Sequence, residues 1–151
     1  MNILSAENNF RDGLVALVAG RPEEASTLFE NAMRAEKRHK VTKPQMRYLS
    51  YFGLSVALSR GGRCRDALRA CETAVHNEHY NPDLLFNLGK VYMLAGRTGK
   101  AMTVFAKGLK LDPNHKGMRA AMENGDRRKR PAIGWLQRNH PVNAFIGRMR
   151  G

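Results

Sequence analysis

The stretch that decides the fold is NPDLLFNLGKVYMLAGRTGKAMTVFAKGLKLDPN, residues 81–114. Apolar side chains recur there at helical spacing on both sides of Gly96, which predicts two helices joined by a short turn. Pro113 ends the second helix, because proline cannot continue a helix interior. The positions that form the pattern are Leu85, Leu88, Tyr92 and Ala95 before the turn, and Ala101, Phe105 and Leu109 after it.

The same pattern occurs three times in the chain. A shift of 34 residues places 48–81 on 82–115, with Leu54 on Leu88 and Ser55 on Gly89. A shift of 42 residues places an upstream copy on the second one, and the extra eight residues belong to the basic segment 34–47. We therefore expect a repeat domain over residues 1–125, with repeats at about 6–47, 48–81 and 82–115 and a capping helix at 116–124.

The third unit resembles a tetratricopeptide repeat, from which it departs at Leu85, where that family favours Trp, and at Gly108, where it favours Ala. The resemblance covers about 110 of the 151 residues. It implies an all-α superhelix in which the first helix of each pair lines the concave side. It also implies a protein-binding adaptor, scaffold or assembly factor rather than an enzyme.

Each first helix has a second stripe of side chains at i, i+4 and i+7, which share one face of the helix. A groove lined by these stripes suits a partner helix or an apolar peptide, with Asn87 and Lys90 as polar groups that orient it. The alternative is that the stripes pack on neighbouring helices and leave no groove. The predicted groove residues are Phe10, Leu14, Leu17, Phe52, Val56, Phe86, Asn87, Lys90 and Met93.

Some tetratricopeptide domains hold the terminal carboxylate of a peptide with Lys, Asn and Arg side chains on the concave surface. Asn87 and Lys90 are the only matching polar residues here. Phe52, Gly53 and Val56 stand on the neighbouring helix, where further polar ligands would be needed. The sequence therefore argues against recognition of a peptide carboxylate.

The net charge of +13 is concentrated in two short segments, 34–47 and 126–151. The first of these is expected to form a solvated ridge, and the alternative is that it contacts an acidic partner. The second is a basic, aromatic tail, which we expect to supply contacts of its own. Its predicted contact residues are Arg127, Arg128, Lys129, Arg130, Trp135, Arg138, Phe145, Arg148 and Arg150.

Several interpretations of the tail at residues 126–151 remain open. It could dock on its own repeats or on a second copy of the chain, where it would fill the apolar groove. It could instead lie on an anionic membrane or bind nucleic acid, since arginine contacts headgroups and phosphates. It could also stay solvated or become ordered on a protein partner. A factor tethered to a membrane surface or to nucleic acid is therefore the alternative function.

The sequence lacks the motifs of common catalytic and cofactor sites. No phosphate-binding loop precedes a Lys-Ser or Lys-Thr pair, and no set of Cys and His residues completes a metal site. Cys64 and Cys71 lie seven residues apart on one predicted helix, too far for a disulfide. No signal peptide or membrane span is visible. We expect a cytoplasmic, non-catalytic protein without cofactors, which could also lie peripherally at a membrane surface.

Overall fold

The computed structural model describes residues 3–126, which form an all-α helical repeat superhelix. No strand occurs among those residues. The seven helices are α1 (Ile3–Val18), α2 (Pro22–Arg38), α3 (Met46–Leu58), α4 (Cys64–Asn77), α5 (Pro82–Leu94), α6 (Thr98–Leu111) and α7 (Lys116–Asp126).

The helices pack as three pairs and a final single helix. α1 packs on α2, α3 on α4, and α5 on α6, while α2–α3, α3–α5 and α4–α5 contacts join the pairs into one stack. α7 packs on α6 and extends from Lys116 to Asp126, two residues beyond the expected capping helix at 116–124. One hydrophobic core runs through the stack.

The first and third pairs are closed by equivalent turns of three residues. Gly20 and Gly96 have positive φ angles of 76° and 75°, which glycine adopts without steric cost. In each turn the next amide donates back to a carbonyl of the first helix, Arg21 N to Ala16 O at 2.9 Å and Arg97 N to Tyr92 O at 2.8 Å. These bonds satisfy carbonyls at the end of the first helix.

The turn of the second pair is two residues longer, because it contains both Gly61 and Gly62. α4 and α6 begin 34 residues apart, at Cys64 and Thr98, as the repeat period predicts. α3 and α5 instead end 36 residues apart, at Leu58 and Leu94. The alignment of α3 at a shift of 34 is therefore wrong, and a shift of 36 describes this helix.

Close contacts between paired helices confirm the corrected register. A Cβ atom added at Gly13 would lie 2.6 Å from the Phe29 ring, and one at Gly89 would lie 2.2 Å from the Phe105 ring. The corresponding contact of the second pair is at Gly53, where an added Cβ would lie 2.7 Å from Cys71 Sγ. Gly53, rather than Ser55, is thus the structural equivalent of Gly89.

His115 fixes α7 to the third pair. Its Nδ1 accepts a hydrogen bond from Met118 N at 3.2 Å, which satisfies an amide in the first turn of α7. Its Nε2 lies 3.1 Å from Asp83 Oδ1, and its ring contacts Phe86 edge-on. Because Nδ1 is the acceptor, Nε2 carries the proton that is donated to Asp83. One imidazole therefore caps α7 and links it to α5.

Gly108 makes room for the contact between α6 and α7. A Cβ added there would lie 2.3 Å from Met118 Sδ, so the side chain of Met118 occupies the space that an alanine would require. Met118 itself is fully buried. The glycine at this position, where the family favours alanine, thus leaves the space in which α7 packs.

We predict that Gly89→Ala destabilises the chain by about 1 to 3 kcal/mol, because the new methyl group overlaps the Phe105 ring. Gly99→Ala is the matched control, since no atom lies within 4 Å of its added Cβ in the first turn of α6. The control should be neutral or stabilising by up to about 1 kcal/mol. Urea unfolding of both variants measures the difference, and equal midpoints would contradict the packing described.

A second prediction concerns the cap of α7. His115→Ala removes both the cap and the bond to Asp83, and we expect a loss of about 1 kcal/mol. The control is His79→Ala, which replaces an exposed imidazole between α4 and α5. Hydrogen exchange should show faster exchange in α7 for His115→Ala alone. Unchanged protection of α7 would refute the role of His115.

Candidate functional site

The first helices α1, α3 and α5 lie side by side and form what we call the first-helix face. The Phe10 ring of α1 lies 5.6 Å from the Tyr51 ring of α3, measured between centroids. The Asn87 amide of α5 donates to Ser50 Oγ of α3 at 3.0 Å. The equivalent residues of the face are Phe10, Leu14 and Leu17 on α1, Ser50, Leu54 and Ala57 on α3, and Phe86, Lys90 and Met93 on α5.

An aromatic cluster occupies the α1–α3 part of this face. Phe10 contacts the rings of Tyr48 and Tyr51 at 5.1 and 5.6 Å, and the Arg47 guanidinium lies 4.6 Å above the Phe10 ring. Arg47 also forms an ion pair with Glu7, which accepts a hydrogen bond from the Tyr48 hydroxyl at 3.0 Å. Burial, followed by the nearby Glu7 charge, raises the pKa of Tyr48 to about 12, so the phenol remains a donor.

A buried polar cluster lies where α3, α4 and α5 meet. Ser50 accepts from Asn87 through its hydroxyl, and its carbonyl accepts from Cys71 Sγ at 3.4 Å. Asn87 is 1% exposed, and its Oδ1 has no hydrogen-bond partner among the described residues. A buried carbonyl oxygen without a donor is costly, so Asn87 Oδ1 lowers the stability of the packing between α3 and α5.

Lys90 extends the same cluster. Its Nζ lies 4.1 Å above the Phe86 ring, and the side chain is fully buried. Burial lowers the pKa of this amine to about 7, against the opposing effects of Asp83 and Cys71. Near neutral pH the group is therefore divided between its charged and uncharged forms.

Most of the predicted groove residues are buried inside the stack and do not line an open surface. Seven of the nine are buried, and Phe52 and Met93 are partly buried. The buried ones are Phe10, Leu14, Leu17, Val56, Phe86, Asn87 and Lys90. This burial agrees with the alternative given by the sequence, in which the stripes pack on neighbouring helices and leave no groove.

Phe52 and Val56 require a correction of position as well. The two extra residues of the α3–α4 turn move α3 by two positions, so Ser50 and Leu54 correspond to Phe86 and Lys90. Phe52 corresponds instead to Leu88, and Val56 to Tyr92. The two residues therefore do not belong to the predicted row. Sequence reasoning missed Ser50 and Tyr51, whose only signal was the Gly61-Gly62 pair in the turn.

The accessible apolar part of the face lies at the ends of the three first helices. Val18, Leu58 and Leu94 are the last residues of α1, α3 and α5 and occupy equivalent positions. Val18 is 42% exposed, while Leu58, Met93 and Leu94 are partly buried. These four residues, which we call the apolar rim, keep part of their surface accessible, Val18 most of all, while Leu58, Met93 and Leu94 also pack against the core.

The contact residues predicted for the basic tail all lie beyond residue 126, outside the described residues. Among the described residues, no helix is both long and apolar enough to cross a membrane. Residues 3–126 likewise contain no group of three or more side chains suited to hold a metal ion.

Comparison with known proteins identifies one repeat directly. Residues 82–115, which comprise α5, α6 and the turns around them, match the family described as Tetratricopeptide repeat. The resemblance of the third unit is thereby confirmed. No curated protein matches the chain.

The low pKa of Lys90 predicts a dependence of stability on pH. Between pH 7 and about pH 8.5 an unfolded lysine stays protonated, whereas Lys90 of the folded chain loses its proton. The unfolded state then binds more protons, so the free energy of unfolding should rise with pH, by about 1 to 2 kcal/mol over this interval.

Lys90→Met should abolish this rise, and urea unfolding at several pH values tests it. Lys107→Met, which removes an exposed amine of α6, is the control and should keep the slope of the parent chain. Cys71 of the unfolded chain begins to lose its proton near the upper end of this interval and opposes the rise, but this effect is common to the parent chain and both variants, and Tyr48 titrates well above the interval. An unchanged slope in Lys90→Met would refute the assignment.

Proposed function

We propose that this chain, a tetratricopeptide repeat protein by its residues 82–115, is a non-catalytic module that binds another protein. Tetratricopeptide repeats generally mediate protein–protein interactions and are typically non-catalytic. The match over the third helical pair is the observation that carries the proposal. We propose further that the module acts as an adaptor, scaffold or assembly factor.

The proposed contact surface is the apolar rim at the ends of α1, α3 and α5. Three equivalent aliphatic residues, Val18, Leu58 and Leu94, occur there, one in each helical pair, and Met93 precedes the last. A row of this kind suits one apolar side of a partner helix or an extended apolar peptide. Burial of partly exposed aliphatic side chains would supply the driving force for binding.

Photo-crosslinking from single positions tests the proposed surface. A photoreactive amino acid is placed at Val18 in the rim or, as a matched control, at Leu111. Both are exposed aliphatic residues at the last position of a helix, but Leu111 belongs to the second helix of its pair. Crosslinked partners in extract of the source organism are then identified by mass spectrometry.

We expect the Val18 probe to crosslink a protein that the Leu111 probe does not reach. Val18→Glu should weaken co-purification of that protein about tenfold or more, because a carboxylate would be desolvated on binding. Leu111→Glu should leave co-purification unchanged. Equal crosslinking from both positions, or a loss in the control alone, would contradict the proposed surface.

A further inference from the structure

A cleft of about 370 Å³ lies between α4 and the turn that joins α5 to α6. Arg65 and Arg69 of α4 line it on one side, and Arg97 lines it from the turn. Leu68 supplies an apolar part of the wall, and Glu72 the only carboxylate among the residues that line it. We call this feature the arginine cleft.

The three guanidinium groups of the cleft lack ion-pair partners within residues 3–126. No carboxylate oxygen of the described chain lies within 4.0 Å of them, whereas Arg21, Arg34 and Arg47 are each paired with a glutamate. Arg65 and Arg69 are four residues apart, so they share one face of α4. Like charges held together in this way repel one another and favour a bound anion.

The position of Arg97 is set by the fold. Its backbone amide donates to Tyr92 O at 2.8 Å, as part of the turn that ends α5. The Tyr92 hydroxyl in turn donates to Glu72 Oε1 at 2.8 Å and ties α5 to α4. Burial, with Glu72 as the second cause, raises the pKa of Tyr92 to about 12, which preserves this bond. The walls of the cleft are therefore joined before any ligand arrives.

We propose that the arginine cleft binds a phosphorylated serine or threonine side chain of a peptide segment. Guanidinium groups form paired hydrogen bonds with phosphate oxygens, and three of them can surround a single phosphate. Leu68 offers contact to an apolar residue beside the phosphorylated one. The proposal goes beyond the binding of a protein at the apolar rim and does not depend on it.

Glu72 favours a peptide over a nucleic acid. Its carboxylate, already bonded to Tyr92, can accept from a backbone amide of a bound peptide. A nucleic acid strand would instead bring further phosphates along its backbone, close to this negative charge. A ligand with one compact anionic group and nearby N–H donors matches the cleft better than a polyanion.

Cys64 provides a readout of occupancy in the intact chain. It is partly buried and lines the cleft, whereas Cys71 is buried and its thiol pKa is raised by burial to about 12. Since the thiolate is the reactive form, iodoacetamide should alkylate Cys64 much faster than Cys71. A ligand in the cleft should protect Cys64.

The experiment measures alkylation of Cys64 and fluorescence anisotropy with a pool of short peptides that contain a central phosphoserine and degenerate flanks. The same pool with serine, inorganic phosphate and a single-stranded oligonucleotide are the comparison probes. We expect the phosphorylated pool to protect Cys64 and to bind at least about tenfold more tightly than the serine pool.

The variant Arg65→Gln/Arg69→Gln should weaken binding of the phosphorylated pool at least about tenfold. Arg38→Gln/Arg119→Gln is the matched control, because it removes the same charge from two exposed arginines outside the cleft. Equal losses in both variants, equal binding of the serine pool, or tighter binding of the oligonucleotide would each overturn the proposal. Protection by inorganic phosphate alone, without the peptides, would overturn it as well.

Discussion

The structure depends on the close approach of two helices at one glycine in each pair. At Gly13, Gly53 and Gly89 the backbone of the first helix lies against a side chain of the second, and no methyl group could be added without a clash. This contact fixes which sides of the helices face each other and brings their apolar stripes together. The side chains that fill the space are Phe29, Cys71 and Phe105, so the smaller thiol serves where the other pairs use a ring.

Much of the fold could be predicted because the second helices keep their period. Ala25, Ala67 and Ala101 recur in phase at the buried positions of α2, α4 and α6, and the family match covers the last of these helices. The register of α3 could not be predicted in the same way. Its sequence MRYLSYFGLSVAL is apolar or small on nearly every side, so two positions of slip, about 200° of rotation, leave the pattern acceptable. The bounds of α3 and the contact of Gly53 with Cys71 decide between the two registers.

The candidate sites were less predictable than the fold, because both depend on what packing brings together. The spacing of Phe10, Leu14 and Leu17 correctly places them on one side of α1, but spacing does not report exposure, and these residues are buried. The arginine cleft could not be predicted for a different reason, because its residues come from distant parts of the chain. Arg69 and Arg97 lie 28 residues apart in the chain, and no local pattern joins them until α4 and α5 pack.

The five-residue turn between α3 and α4 has a consequence for how the chain can be altered. The two additional residues of this turn leave α4 at its spacing of 34 residues from α6. The packing of the helices, rather than the length of this connection, therefore fixes where α4 lies. Exposed connections with small residues are the sites that best tolerate insertions. Gly61, which is exposed and has no atom near its added Cβ, is therefore the natural point at which to insert a reporter or to open a circularly permuted chain.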